Sequence, residues 1–187
     1  FKGEQLAGKK AIIFGTDVRT KDLSERLKAL GVDVAIYTED TSQEPAFYGL
    51  SHFASREEVF ETGDIFYAAW TGDEDRTLIG KLDRTFLDLI KRPVYIISVY
   101  KHNHVDFQRI RELLYDGLIK GIAFDYYPDI SGGDSRTSEA TKLLYLPNVI
   151  ITPDIAWYTQ DSVLSMNKHT NERLIAYAQG KADYLIV

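Results

Sequence analysis

The sequence predicts an α/β fold of the Rossmann type, a doubly wound parallel sheet in a single domain. Short, nearly continuous apolar runs alternate with amphipathic stretches along the chain. Such runs are typical of parallel strands that are buried on both faces. The length of 187 residues suits one domain with a large core. No repeat or low-complexity tract interrupts the pattern, so residues 1–187 are predicted to form one domain.

The apolar runs predict six parallel strands. Each run is short and is followed by glycine, a turn or polar residues. The predicted strands are 11–15, 32–37, 64–69, 94–99, 121–124 and 148–151. Ligands of such sheets bind at the carboxyl ends of the strands, near the point where the strand order reverses. The loops that follow these strands should therefore line any binding site.

Helices are predicted between the strands from apolar spacing and from end signals. Leucines at helical spacing form the apolar side of the first helix, and Gly31 ends it. Ser55 and Asp106 are placed as N-caps of two later helices. Pro93 follows the predicted end of another helix, and Gly117 follows the end of the helix that Asp106 caps. The predicted helices lie at 23–30, 56–60, 86–90, 107–115 and 160–179.

The composition excludes several classes of function. With 28 acidic and 22 basic residues the net charge is -6, which disfavours binding to nucleic acid or to an anionic membrane. The absence of cysteine excludes disulfides and a thiol nucleophile. No apolar run can span a bilayer and no signal peptide is visible, so we expect a cytoplasmic protein. The chain starts at Phe1 and its only methionine is Met166, so we expect a piece of a longer protein.

Short motifs with a fixed order identify a family resemblance. They are QLAGKK at 5–10, the unit at 15–37, GDI at 63–65, ISVYKHNHVD at 97–106, GLIKGIAFD at 117–125 and PNVIITPDIAWYT at 147–159. In this order they resemble the nucleotide-binding domain of the D-isomer-specific 2-hydroxyacid dehydrogenases, especially the D-lactate dehydrogenase branch. The resemblance implies a domain that uses NAD, forms a homodimer and works with a separate substrate domain, which this chain lacks.

The phosphate-binding loop of that family, G-x-G-x-x-G, falls on GTDVRT at 15–20. The resemblance implies that Gly15, Asp17, Val18 and Arg19 would contact the diphosphate, with Gly15 making the tight turn. Asp17 replaces the second glycine and adds bulk and negative charge where the backbone must approach the diphosphate. Thr20 replaces the third glycine, where the helix packs on the strand. An alternative role for Asp17 is to cap the helix. We therefore expect NAD binding to be possible but weakened.

The resemblance also implies an acidic residue that binds the ribose, and this position falls on Thr38. Glu39 is adjacent, but a shift of one residue along a strand reverses the direction of the side chain. Glu39 and Asp40 are interpreted more simply as solvated loop charges.

The two catalytic positions implied by the resemblance also carry other residues. Lys101 stands where the family has the arginine that holds the substrate carboxylate, and an ammonium lacks the two-point geometry of a guanidinium. Asp154 replaces the acid/base histidine. A carboxylic acid is ordinarily ionised at neutral pH and donates no proton there. A second interpretation of Asp154 is a cap for the following turn and long helix. The glutamate that assists the histidine in the family falls near Ile130, beside Asp129.

Two other groups of residues carry open alternatives. Arg19 and Lys101, with His102 and His104, could bind a small anion in the sheet crevice, or the histidines could be exposed loop residues. The aromatic side chains on the carboxyl-end loops could form a floor for a planar ligand, or pack loops and a subunit interface. These aromatic residues are Trp70, Tyr126, Tyr127, Trp157 and Tyr158. The sequence predicts no metal site.

The sequence therefore supports competing functions. Since the fold motifs persist while the functional positions differ, we expect a catalytically inactive module with a dimerising, regulatory or ligand-sensing role. The alternative is an NAD-dependent oxidoreductase, in the full-length parent, that acts on a D-2-hydroxy acid or 2-oxo acid such as lactate or pyruvate. A third hypothesis is a domain that binds a different nucleotide or anion.

Overall fold

The structure, a computed structural model, describes residues 3–16, 18–38, 44–50, 52–68, 82–99, 105–125 and 139–181. The chain divides into two compact units, Phe1–Pro153 and Asp154–Val187. The first unit contains the sheet. The second contains one long helix.

A parallel sheet with its connecting helices forms the first unit. Within the described residues the strands are β1 (Lys10–Phe14), β2 (Asp33–Tyr37), β3 (Ile65–Ala68), β4 (Val94–Ser98), β5 (Ile119–Phe124) and β6 (Val149–Ile151). The helices of this unit are α1 (Val18–Ala29), α2 (Arg56–Thr62), α3 (Arg84–Leu87), α4 (Phe107–Tyr115) and α5 (Glu139–Leu143), with a 3-10 helix at Pro45–Tyr48. The helix of the second unit is α6 (Gln160–Ala178).

The strand order is β2-β1-β3-β4-β5-β6, and every neighbouring pair is parallel. The chain leaves β1 towards β2 and then crosses to β3 on the other side of β1. The order reverses there, so the crevice between the carboxyl ends of β1 and β3 is the expected ligand position. The predicted Rossmann-type sheet is confirmed.

Two apolar clusters lie on opposite faces of the sheet. Under α2, α3, α4 and α5, the rings of Phe14, Phe66 and Phe86 pack edge to face, with centroids 5.5 to 6.3 Å apart. On the other face, Leu27 of α1 and Tyr48 of the 3-10 helix cover the side chains of β1 and β2. Aromatic edge-to-face packing of this kind adds to the free energy gained by burial.

Most predicted helix ends agree with the structure. Ser55 accepts a hydrogen bond from the Glu58 amide at 3.2 Å, and Asp106 accepts one from the Arg109 amide at 2.8 Å. Gly31 adopts a φ of 77°, the left-handed conformation in which glycine ends a helix without strain.

The predicted helix at 86–90 is wrong in its bounds. Helix α3 begins after the N-cap Asp83 and ends at Leu87. The amides of Leu89 and Ile90 bond three residues back, which tightens the chain into a turn before Pro93. The 3-10 helix and α5 were not predicted, because neither is long enough to show an apolar period.

A carboxylate clamp joins three segments at the amino edge of the sheet. Asp64 accepts hydrogen bonds from the Lys10 amide and from Arg92, each at 2.9 Å. Arg92 also donates to the Gly63 carbonyl. Burial by itself would raise the pKa of Asp64, but the hydrogen bonds and the charge of Arg92 outweigh it and hold the pKa below 3.8.

Replacing Asp64 with asparagine should lower the free energy of unfolding by about 1 kcal/mol at neutral pH, since the charge-assisted bonds are lost. A carboxylate whose pKa is lower in the folded than in the unfolded state stabilises the folded state at pH values above its unfolded pKa. This stabilisation is lost as the pH falls through the folded pKa. In urea denaturation, the difference in unfolding free energy between the wild type and Asp64→Asn should therefore shrink as the pH falls below 3.8. Asp33→Asn, at an exposed position, is the control, and a pH-independent difference would contradict this account.

Candidate functional site

The turn from β1 into α1 forms the first part of the candidate site. Gly15 has a φ of 99°, and its amide donates to the Tyr37 carbonyl at 2.9 Å. This conformation suits glycine and turns the chain directly into α1. The first amides of a helix have no partner within it and favour an anion. Asp17 lies outside the described residues.

Thr20 occupies the position of the third family glycine and is accommodated within the fold. Its side chain is only 1% exposed, and its hydroxyl donates to the Gly15 carbonyl at 3.3 Å. The threonine therefore packs between helix and strand and closes the turn. The replacement of this glycine does not by itself place bulk over the turn.

Thr38 and Arg19 lie at the same carboxyl edge as Gly15. Thr38 directly follows β2 and is half-buried, and Arg19 is exposed on the first turn of α1. A threonine hydroxyl can hydrogen-bond to a ribose hydroxyl but carries no charge. The edge therefore has a left-handed glycine and a helix start where the resemblance implies the diphosphate, and a neutral side chain at the implied ribose position. Glu39 and Asp40 lie outside the described residues.

A buried polar cluster at this edge was not predicted. Ser98 ends β4, Asp125 follows β5 and Thr152 follows β6. The Thr152 hydroxyl donates to the Asp125 carboxylate at 2.5 Å, and the Asp125 amide donates to the Ser98 carbonyl at 2.9 Å. Ser98 and Asp125 are 1% and 7% exposed. The signal in the sequence was that all three stand at the ends of neighbouring strands.

The structure describes only one of the two catalytic positions. Lys101, with His102 and His104, lies outside the described residues. Asp154 is exposed and has a φ of 55°, a left-handed conformation that aspartate tolerates better than most residues. The interpretation of Asp154 as a cap of the long helix is wrong. The cap of α6 is Thr159, whose hydroxyl accepts the Ser162 amide at 3.1 Å, because Thr159 stands directly before the first helical turn.

Of the predicted aromatic group, the structure describes Trp157 and Tyr158. Both are exposed, and their rings pack edge to face with centroids 5.4 Å apart. Trp70, Tyr126 and Tyr127 lie outside the described residues, so the choice between a ligand floor and an interface stays a prediction.

Two features are absent from the described part of the chain. No three histidine, aspartate or glutamate side chains there group as ligands of a metal ion. No helix in those same ranges has the length and apolar character needed to cross a membrane.

Comparison with known proteins identifies a family model and curated relatives. The model of the D-isomer specific 2-hydroxyacid dehydrogenase, NAD binding domain, matches residues 1–156. A D-2-hydroxyacid dehydrogenase (NAD+) of Lacticaseibacillus paracasei is 24% identical over 95% of this chain and 54% of its own length. A glyoxylate reductase of Aeropyrum pernix is 26% identical over 96% of this chain and 51% of its own. The chain thus spans about half the length of these relatives.

Solved structures share the fold. D-2-hydroxyisocaproate dehydrogenase superimposes with a TM-score of 0.82 at 23% identity, over 100% of this chain and 58% of that chain. An NAD-complexed D-isomer specific 2-hydroxyacid dehydrogenase from Lactobacillus delbrueckii ssp. bulgaricus gives 0.78 at 24% identity, with the same coverage. At this identity the likeness shows the fold alone.

Two substitutions of Thr152 test whether the polar cluster stabilises the fold. Thr152→Val keeps the shape of the side chain but removes a donor from the buried Asp125 carboxylate, which should cost about 1–3 kcal/mol of unfolding free energy. Thr152→Ser keeps the hydroxyl, so its loss of unfolding free energy should be less than half that of Thr152→Val. Chemical denaturation measures both variants. Equal losses would show that the hydroxyl does not stabilise the cluster.

Proposed function

The chain belongs to the D-isomer-specific 2-hydroxyacid dehydrogenase family as its NAD-binding domain, and on that premise we propose that it keeps dinucleotide binding but not the chemistry of hydride transfer. The observation that carries the proposal is a contrast between backbone and side chains. Gly15 keeps a left-handed backbone, with a φ of 99°, shortly before α1 begins. Asp154, by comparison, stands where the family has an imidazole.

Binding of the diphosphate would rest mainly on backbone groups. The first amides of α1, from Val18 and Arg19, would present donors to an anion. Thr20 does not obstruct them, since its side chain is buried against the Gly15 carbonyl. The hydroxyl of Thr38 would contact the ribose. Asp17 remains the residue that weakens binding, through its negative charge.

The chemistry depends on side-chain identity. The nicotinamide cofactor, when it is bound, would donate a hydride to a 2-oxo acid as NADH or accept one from a 2-hydroxy acid as NAD. The protein must hold the carboxylate of a 2-oxo acid and exchange one proton with its oxygen. Lys101 would hold the carboxylate without the fork of an arginine, and Asp154 supplies no imidazole for the proton exchange.

The role that follows is a regulatory or NAD-sensing module that forms a homodimer. A cytoplasmic location and the dimer remain predictions from the sequence, as does a small anionic ligand in the crevice. In such a role NAD would act by stabilising the folded domain, since a ligand that binds only the folded state raises its stability.

The alternative function is an NAD-dependent oxidoreductase acting on a 2-oxo acid in the full-length protein. It is favoured by the names of the curated relatives, which are dehydrogenases and reductases matched over nearly the whole chain. It requires Lys101 and Asp154 to replace the family's arginine and histidine in function.

Calorimetric titration with NADH tests the binding half of the proposal. We expect weak binding by the wild type and about tenfold tighter binding by Asp17→Asn, because a like charge beside the diphosphate is removed. Asp22→Asn removes a charge from an exposed position of α1 and is the matched control. No binding by either the wild type or Asp17→Asn would overturn the proposal.

Oxidation of NADH in the presence of pyruvate, followed by absorbance in the full-length protein, tests the chemical half. We expect no turnover by the wild type. The double variant Lys101→Arg, Asp154→His should gain measurable activity if the remaining site is intact. Efficient turnover by the wild type would instead establish the alternative function.

A further inference from the structure

The register of two strands places the residue at the implied ribose position. Strands β1 and β2 pair in parallel with Phe14 opposite Tyr37, and the Gly15 amide donates to the Tyr37 carbonyl at 2.9 Å. Gly15 and Thr38 follow these two residues, so they stand level with each other at the carboxyl edge. Thr38 is half-buried there. A dinucleotide whose diphosphate lies beside Gly15 would bring its adenine-side ribose to the end of β2.

The charge of the residue at this position selects between two dinucleotides. A carboxylate after the second strand hydrogen-bonds to the 2′-hydroxyl of NAD, and the same carboxylate repels the 2′-phosphate of NADP. The hydroxyl of Thr38 carries no charge and can donate a hydrogen bond to either group. Thr38 therefore removes the repulsion but keeps a hydrogen-bonding group at the ribose.

A guanidinium lies on the helix that covers the same two strands. Arg19 is in the first turn of α1, four residues before Leu23. Residues four apart lie on the same face of a helix, and Leu23 packs in the apolar cluster over β1 and β2. Because helical side chains lean towards the N-terminal end of the helix, Arg19 extends from this face towards the carboxyl edge. An arginine near the ribose is what accommodates a 2′-phosphate in sheets of this type.

Two acidic residues follow Thr38 in the sequence. Glu39 and Asp40 lie outside the described residues, so their charges are tested by substitution in the experiment below. Neighbouring side chains of an extended chain point in opposite directions, so an acid at position 39 does not by itself replace one at position 38.

We propose that the dinucleotide site accepts NADP(H) as readily as NAD(H), and that Thr38 and Arg19 determine this specificity. The inference rests on the dinucleotide binding proposed above and concerns only the 2′ position of the ribose. Thr38 would hydrogen-bond to the 2′-hydroxyl or to the 2′-phosphate. Arg19 would pair with the phosphate, which suits the planar fork of a guanidinium. A sensing module with such a site responds to both nicotinamide dinucleotides.

Calorimetric titrations with NADPH and with NADH test the role of Thr38. We expect the two Kd values of the wild type to agree within about threefold, since no carboxylate at position 38 repels the extra phosphate. Thr38→Asp restores the carboxylate and should weaken NADPH binding by about tenfold or more relative to NADH binding. Thr38→Asn is the matched control, because it has the size of the aspartate without its charge, and it should keep the ratio of the two Kd values near that of the wild type.

The same titrations test the role of Arg19. Arg19→Gln should weaken NADPH binding about tenfold and leave NADH binding nearly unchanged, because it removes a charge-assisted bond to the 2′-phosphate alone. Arg26→Gln removes a guanidinium from the last turn of α1 and is the matched control. Equal effects of Arg19→Gln on both dinucleotides would refute a role of Arg19 at the 2′ position.

Each titration is repeated in the Asp17→Asn background, so that a low affinity of the wild type does not obscure the ratio of the two Kd values. A preference of about tenfold or more for NADH in both backgrounds would overturn this inference and leave the proposed function standing. Loss of that preference in the double variant Glu39→Gln, Asp40→Asn would assign the selection to those two carboxylates instead. No binding of either dinucleotide in either background would overturn the proposed function as well.

Discussion

The pairing of β1 with both β2 and β3 is the constraint on which the rest of the structure depends. The side chains of Ala11, Ile12 and Ile13 are fully buried, so β1 is fixed between its neighbours from both faces. Because all three strands are parallel, their carboxyl ends meet at one edge. At this edge the amide of Gly15, shortly before α1, donates a hydrogen bond to the Tyr37 carbonyl at 2.9 Å and so joins the ends of β1 and β2. The candidate dinucleotide site therefore follows from the strand order.

Binding and catalysis place different demands on such a site. Diphosphate binding uses backbone amides and a left-handed glycine, which persist as long as the fold does. Proton exchange and carboxylate recognition use particular side chains, which a substitution removes without disturbing the sheet. Thr20 illustrates the tolerance of the scaffold, because a threonine at the position of a glycine is buried and hydrogen-bonded. A domain can thus keep its fold and its cofactor site after its chemistry has changed.

The parts of the fold that the sequence predicted are those set by local signals. Strands appear as apolar runs, and the caps Ser55 and Asp106 are identified by the residues that follow them. Contacts between distant segments leave no such signal. Thr152 and Asp125 are 27 residues apart, and Glu4 and Lys120 are 116 apart. The sequence shows that the members of the polar cluster stand at strand ends, but their contacts became visible only in three dimensions.

The resemblance to a family located the site, but the local setting of its residues required coordinates. The sequence placed Asp154 at the acid/base position and offered a helix cap as the second interpretation. The structure assigns the cap to Thr159 and gives Asp154 a left-handed backbone.

The most direct test of a retained dinucleotide site is a titration of the labelled protein with NADH, followed through backbone amide shifts in NMR spectra. The account predicts that saturating changes centre on the carboxyl edge, at Gly15, Arg19 and Ser98. Amides at the opposite edge, around Asp64, should stay in place. An absence of shifts at millimolar NADH, or shifts confined to the amino edge, would contradict the claim that this domain still binds the dinucleotide.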